Sequence, residues 1–239
     1  MKLSIIIPVY NEEKTIEELI SIVKKVDTKD VKKEIIAVDD GSKDNTLNIL
    51  KRIKDIKLIV HKRNAGKGAA TRTGIKHSTG DIIIIQDADL EYDPNDYYKL
   101  IKPIIDSKTK VVYGSRFLSS TQKERNVDFL KIKHKKAYSL AYLGGRFLTY
   151  LANFLYRGNI TDEPTCYKVF RADVLKSINL RCKRFEFCPE VTAKVLKKGY
   201  KIFEIPIPYK PRSFEEGKKI NWKDGIQAVW TLIKYRFID

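Results

Sequence analysis

Short, almost wholly apolar runs that stop abruptly at polar or acidic clusters constrain this chain most. Leu3 to Val9 closes on Pro8-Val9-Tyr10-Asn11, Glu34 to Val38 on Asp39-Asp40-Gly41-Ser42, and Ile82-Ile83-Ile84-Ile85 on Gln86-Asp87-Ala88-Asp89. A strand with one solvated face alternates apolar and polar residues, whereas continuous runs belong to parallel strands covered on both faces. Helical spacing fills the intervals: Ile16, Leu19, Ile20, Val23 and Val26 share one face within Glu12 to Val26. Asp44 to Ile53 and Gly68 to His77 read as further helices, and Lys57 to Val60 as another strand. The order βαβαβαβ predicts an α/β fold, a doubly wound, mostly parallel sheet flanked by helices, with a ligand at the carboxyl ends of its strands.

Past a strand at Lys110 to Gly114 the regularity fades. Residues 119–136 are polar and basic, and Ala137 to Tyr156 is an aromatic helix interrupted by Gly144, Gly145 and Arg146. Strands are expected at Thr165 to Phe170 and Tyr200 to Ile205, and helices at Phe187 to Lys198 and Trp222 to Phe237. With no repeat or linker, the 239 residues read as one domain, in two halves, 1–116 and 117–239. No apolar run reaches the roughly 18 residues of a membrane span. Cys166, Cys182 and Cys188 form no CxxC pair, which favours packed thiols in a reduced, cytoplasmic protein.

The net charge of +17 is lopsided. Residues 1–100 hold 18 Lys/Arg against 17 Asp/Glu, and residues 101–239 hold 29 against 13. The second half therefore suits an anionic partner. A Lys-rich surface would explain the total but less well the asymmetry. Nucleic acid is disfavoured, because the acidic strand ends do not suit a phosphate backbone.

Carboxylates at i and i+2 on extended backbone point the same way. Asp87 and Asp89 could thus hold a hard divalent cation that also binds substrate phosphates, with Glu91 adding a third oxygen. Spacing alone leaves open that Asp87, Asp89 and Asp93 only shape turns and caps before Pro94. Gly66-Lys67-Gly68 lacks the order of a phosphate-binding P-loop and reads as a tight turn into a helix.

Taken together, Pro8-Val9-Tyr10-Asn11-Glu12-Glu13, Val38-Asp39-Asp40-Gly41-Ser42, Asn64-Ala65-Gly66-Lys67-Gly68 and Gln86-Asp87-Ala88-Asp89 resemble the family 2 glycosyltransferases of GT-A fold. Gly114-Ser115-Arg116, Thr161 to Lys168 and Phe187-Cys188-Pro189-Glu190 resemble the polyprenyl-phosphate mannose and glucose synthases within it, as does the stretch Glu215 to Gly225. The resemblance implies a metal-dependent, inverting hexosyl transfer from GDP-mannose, UDP-glucose or a similar nucleotide-sugar to a polyprenyl phosphate. It further implies that Pro8, Tyr10 and Glu12 border the nucleotide, that Asp39 bonds the base with Asp40 beside it, and that Lys67 and Ala88 line the donor site. Asp87, Asp89 and Glu91 would hold Mg2+ or Mn2+; the family often carries Gln where Glu91 stands.

Arg116 would reach a phosphate of donor or acceptor, with Lys133, Lys168 and Arg212 as further acceptor cations. A phosphate acceptor, already an anion, needs positioning among cations and no dedicated base. Asp162 or Glu163 would be the base for a hydroxyl acceptor, the alternative reading, and otherwise would order the basic groups. Tyr138, Tyr142, Phe147, Tyr150, Phe154 and Tyr156 read as mostly helix packing. In the last helix Trp222, Trp230, Tyr235 and Phe237 alternate with Lys223, Lys234 and Arg236, which suits either the domain surface or peripheral attachment to an anionic membrane on its cytoplasmic face.

Overall fold

In a computed structural model, residues 1–118, 135–210 and 221–238 are described, with residues 135–141 given by backbone alone. Strands β1 (Lys2–Val9), β2 (Lys32–Asp39), β3 (Lys57–Val60), β4 (Ile82–Ile85), β5 (Val111–Ser115), β6 (Lys168–Arg171) and β7 (Ile202–Pro206) form one sheet in the order β3-β2-β1-β4-β6-β5-β7. β1 lies at the centre of the parallel part: Ile5 pairs with Ile35 on one side and Ile84 on the other. Because β2 and β4 flank β1, the chain reverses its winding there, and the carboxyl ends of β1, β2 and β4 share one edge.

The continuous apolar runs follow from two-sided burial. Leu3, Ile5, Ile7 and Val9 join a core with α1 (Ile16–Lys25) and α4 (Tyr97–Ile105), through Leu19, Ile20, Leu100 and Ile101. Ile6, Ile83 and Ile85 face the opposite way, against α3 (Lys67–His77), α6 (Ala172–Lys176) and α7 (Phe187–Lys197). Helix α2 (Thr46–Arg52) covers the β2 end. Helices α5 (Lys135–Tyr156) and α8 (Trp222–Phe237) form an outer layer on α7 around Leu148, Ala152, Ala193, Ala228 and Leu232. A reciprocal cap starts α8: Asn221 Oδ1 accepts from Lys223 N at 2.9 Å and Asp224 Oδ2 from Asn221 N at 2.9 Å.

The predicted elements are present with boundaries shifted by a few residues, and three features were not anticipated. β6 runs antiparallel between β4 and β5, with Ile83 opposite Phe170. It starts at Lys168 and not Thr165, because Cys166 N donates to Tyr92 Oη at 3.2 Å and turns the preceding residues toward the strand ends. Helices α4 and α6 complete the fold, α4 following a turn in which Asp93 accepts from Asn95 N at 2.9 Å ahead of Pro94.

Candidate active site

At the end of β2, Asp39 is fully buried. Its Oδ2 accepts weakly from Ser42 N at 3.3 Å, while Oδ1 has no hydrogen-bond partner among the described residues. A buried carboxylate oxygen left without a donor is costly unless a ligand supplies one. Asp40 turns inward: Oδ1 takes His61 Nδ1 at 2.7 Å and Ala65 N at 3.0 Å, and Oδ2 takes Gly66 N at 2.7 Å. Expected beside the nucleotide base, it uses both oxygens to fix the 61–66 loop. Pro8 is buried in β1, and Tyr10 is half-buried just beyond it. Glu12 is buried, with Thr15 Oγ1 3.0 Å from its Oε2 and 2.8 Å from the Ala88 carbonyl, which ties the β1 and β4 ends together. Asn11, with φ +51°, accepts from Lys43 N at 2.8 Å and donates its own N–H to Ser42 Oγ at 2.9 Å.

The β4 end is anchored by Gln86, whose Oε1 accepts from Tyr97 Oη at 2.8 Å and Tyr167 Oη at 2.7 Å. Asp87 follows, nearly buried, with Lys67 Nζ 2.6 Å from Oδ1; the contact is an ion pair without hydrogen-bond alignment. Lys67 also donates to Cys166 Sγ at 3.2 Å. Burial alone would favour a neutral amine here, yet Asp87 and the neighbouring thiols raise the Lys67 pKa well above its ordinary value. Asp89 is half-buried and accepts from Glu91 N at 3.2 Å, and Leu90 between them holds φ +61°, an uncommon conformation for leucine. Glu91, expected as a third metal ligand, accepts from Tyr209 Oη at 2.7 Å through Oε2. Among the described residues no three potential ligands converge on one point. Asp87 has the surroundings of a carboxylate whose partner is a cation. With Asp89 it fits a hard divalent ion completed by phosphate oxygens and water, and not a cage made by the protein alone.

The third group centres on Arg116, just past β5. Its Nε and Nη2 donate to Asp162 Oδ2 and Oδ1, both at 2.7 Å, and its backbone N–H donates to Oδ2 at 3.0 Å. Asp162 is fully buried and held by Glu204, which accepts from Thr161 N at 2.8 Å and Asp162 N at 3.1 Å. The Arg116 guanidinium lies 5.0 Å from the Tyr209 ring and 5.5 Å from Phe117, so Tyr209 bridges it to Glu91. Glu163 is sealed, and among the described residues neither oxygen has a hydrogen-bond partner; the nearby Thr192 hydroxyl is engaged with Tyr113 Oη at 2.9 Å. Burial pushes the Glu163 carboxyl up to about 8 against the pull of Lys168.

Lys168, expected at the acceptor phosphate, is fully buried, donates to the Glu163 carbonyl at 2.7 Å and lies 3.6 Å from the Tyr113 ring centre. Its place in β6, a strand between β4 and β5, turns it into the fold. Lys133 and Arg212 lie outside the described residues. Sequence reasoning passed over Tyr209, Phe117 and Arg146. Arg146 donates from α5 to the Thr161 carbonyl at 3.0 Å and lies 5.4 Å from Phe117. A lone arginine in an apolar aromatic helix was the available signal.

A doubly wound sheet with a carboxylate pair beyond its fourth strand places the chain among GT-A glycosyltransferases, and solved structures share that fold. Glucosyl-3-phosphoglycerate synthase from Mycobacterium tuberculosis, solved with Mn2+, uridine diphosphate and phosphoglyceric acid, superposes with a TM-score of 0.71 at 18% identity, covering 100% of this chain and 79% of that one. Residues 4–178 match the model of glycosyl transferase family 2, and the chain belongs to that family. It is 30% identical over 250 residues to the UDP-N-acetylglucosamine–dolichyl-phosphate N-acetylglucosaminyltransferase of Methanococcus voltae, across 96% of this chain and 94% of that protein. It is 28% identical over 221 residues to the dolichol-phosphate mannosyltransferase of Pyrococcus furiosus, across 91% of this chain and 59% of the relative.

Proposed function

We propose that the protein transfers a sugar from a nucleotide-sugar to a polyprenyl (dolichyl) phosphate, with inversion at the anomeric carbon and assistance from Mg2+ or Mn2+. One observation carries the reading: on the acceptor side, neither candidate base is available for proton transfer. Asp162 gives both oxygens to Arg116, and Glu163 is sealed away, its carboxyl pushed up to about 8 by burial. A hydroxyl acceptor needs a base within reach. A phosphate acceptor brings its own charge, so its oxygen can attack the anomeric carbon as the bond to the nucleoside diphosphate breaks. The names of two relatives, which act on dolichyl or dolichol phosphate, support this acceptor.

In this reading Asp39 Oδ1 receives a donor from the base, and Pro8, Tyr10, Glu12 and Ala88 shape the nucleotide pocket. Asp87 and Asp89 would hold the metal, which when bound supplies charge stabilisation to the departing diphosphate. Arg116, oriented by Asp162 and stacked near Phe117 and Tyr209, offers its remaining N–H groups to a phosphate. The relatives use different sugars, so UDP-N-acetylglucosamine joins GDP-mannose and UDP-glucose as a candidate donor. No helix among the described residues is long and apolar enough to cross a membrane. The reading accordingly places the protein peripherally on the cytoplasmic face of an anionic membrane.

Incubation of each labelled nucleotide-sugar with Mg2+ or Mn2+ and polyprenyl phosphate tests the assignment. Label from one donor is expected in the organic phase. Transfer only to a water-soluble acceptor such as phosphoglycerate, with none to the lipid, would overturn it.

A further inference from the structure

Tyr209, just beyond β7, touches both the turn that carries Asp87 and Asp89 and the arginine offered to a phosphate. Its Oη donates to Glu91 Oε2 at 2.7 Å, and the next residue, Lys210, donates its backbone N–H to the Glu91 carbonyl at 3.1 Å. The segment after β7 is therefore tied to the turn by main chain and by the phenol. The same ring lies 5.0 Å from the Arg116 guanidinium and 5.2 Å from the ring of Tyr92, a core residue. A half-buried ring anchored at its hydroxyl and backed by a buried ring presents a fixed face to the guanidinium. Arg116 is constrained from another side. Asp162 engages its Nε–H and an Nη2–H, which leaves the remaining N–H groups along the opposite edge. Such a fork meets phosphate oxygens in its own plane, so the tilt of the guanidinium decides where a phosphate sits. Asp162 fixes one edge, and the Tyr209 ring limits tilting about that edge.

We infer that Tyr209 is a positioning residue that sets the tilt and separation of the Arg116 phosphate position relative to the β4 turn. Ring and hydroxyl divide the task. The ring holds the plane of Arg116, and with it the affinity for a phosphate. The hydroxyl, bonded to Glu91, holds that plane in register with the turn. It thereby sets the distance from an attacking phosphate oxygen to the anomeric carbon of a donor lodged at Asp87 and Asp89. A misplacement of about 1 Å in such a distance lowers a rate by about a hundredfold without weakening binding. The bond to Glu91 suits this use, because a hydrogen bond to a carboxylate is about twice as strong as one between neutral groups. A tyrosine that merely filled space would have no reason to join the two sides of the site, one by its edge and the other by its face. The inference deepens the proposed transfer and rests on it for the identity of the phosphate; the roles of ring and hydroxyl hold for any phosphate-bearing acceptor.

The full chain is compared with Tyr209→Phe, which keeps the ring and loses the bond to Glu91, and with Tyr209→Leu, which loses both. Initial rates with nucleotide-sugar, Mn2+ and a short-chain, water-soluble polyprenyl phosphate give kcat and both KM values. Calorimetric titration of the protein alone with the same phosphate gives its affinity without donor or metal. Tyr209→Phe is expected to lower kcat about tenfold and to leave the phosphate affinity within about twofold. Tyr209→Leu is expected to weaken the phosphate affinity about tenfold as well, with the KM for the donor within about twofold. Unchanged circular dichroism identifies variants that fold, and Tyr209→Phe decides alone if Tyr209→Leu does not. Full kcat in Tyr209→Phe overturns the inference, as does full phosphate affinity in a folded Tyr209→Leu. A parallel loss of donor and phosphate affinity also overturns it, because that pattern belongs to a merely structural residue. Transfer by the unaltered chain only to a water-soluble acceptor such as phosphoglycerate overturns the polyprenyl-phosphate reading, and the same variants assayed with that acceptor decide the role of Tyr209.

Discussion

Lys67 and Asp87 hold each other across 2.6 Å where the proposed metal would sit, so an entering cation must displace an ammonium from Asp87. Lys67→Met removes that competitor and leaves the carboxylate uncompensated. Mn2+ binding to the protein alone, followed by electron paramagnetic resonance, is expected to tighten roughly tenfold, about 1.4 kcal/mol. Unchanged or weaker binding would show that the ion pair does not guard a metal position. Asp89→Ala is expected to abolish turnover, and substantial residual activity would remove Asp89 from the site. Glu163 makes a different kind of prediction. Its carboxyl is held up to about 8 in the fold, against an ordinary value of 4.5. Between those values the unfolded chain ionises and the folded one does not, so the contribution of Glu163 to stability is full below 4.5, falls as pH rises and is gone above about 8. Glu163→Gln stays neutral in both states. Its stability relative to the unaltered protein should therefore rise from pH 5 to pH 8, by an amount on the order of a few kcal/mol. Denaturant melts at the two pH values measure it, and a flat difference would mean that Glu163 is ionised in the fold.

At the scale of elements, the α3 N-terminus shows how packing positions the Lys67 side chain. Gly66, at φ +97°, and Gly68 lie against the backbone of Lys183 and Arg184, and a Cβ on Gly68 would come 2.8 Å from the Arg184 carbonyl. Ala69 N donates to the Lys183 carbonyl at 3.0 Å, and Glu190 holds the same loop through Arg181 N at 2.8 Å and Cys182 N at 2.6 Å. Gly68→Val must push this loop off α3 and move Lys67 with it. A stability loss of about 1–3 kcal/mol is expected, with a raised KM for the donor; unaltered donor kinetics in a destabilised variant would separate the loop from the site. The same scale explains what could be read in advance. Uninterrupted apolar runs in β1, β2 and β4 are demanded by helices on both faces, so the parallel half and its acidic strand ends were legible. The antiparallel β6 was not, because four residues carry too little pattern to reveal which neighbours they acquire, and Lys168 was accordingly misread as a ligand cation when it is a core residue. Phe147, Tyr150 and Phe154 of α5, read as packing, are exposed, and the reason is related: spacing defines an apolar face but not whether the fold covers it. Arg116 was found by resemblance, whereas its fixation by Asp162 depends on residues 46 positions apart.

For the whole molecule, the uneven charge becomes a kinetic statement. The first 100 residues are nearly balanced, and the excess of cations falls in the half that carries Arg116, α5 and α8. Attraction between that half and an anionic surface acts through solvent, so it weakens as the screening length shrinks from about 10 Å at 0.1 M salt to about 3 Å at 1 M. In the proposed reading the donor is bound by buried groups at strand ends, where screening is slight. Raising salt should therefore raise the apparent KM for polyprenyl phosphate presented in anionic vesicles by about tenfold or more, with a much smaller change in the KM for the nucleotide-sugar. A short-chain acceptor free in water should lose less than the vesicle-borne one, because it needs only the cations of the site and not those of the outer helices. Initial rates over a salt series with both acceptors measure the three dependences. If all three rise in parallel, the basic half contributes a general surface charge and not recruitment to the lipid.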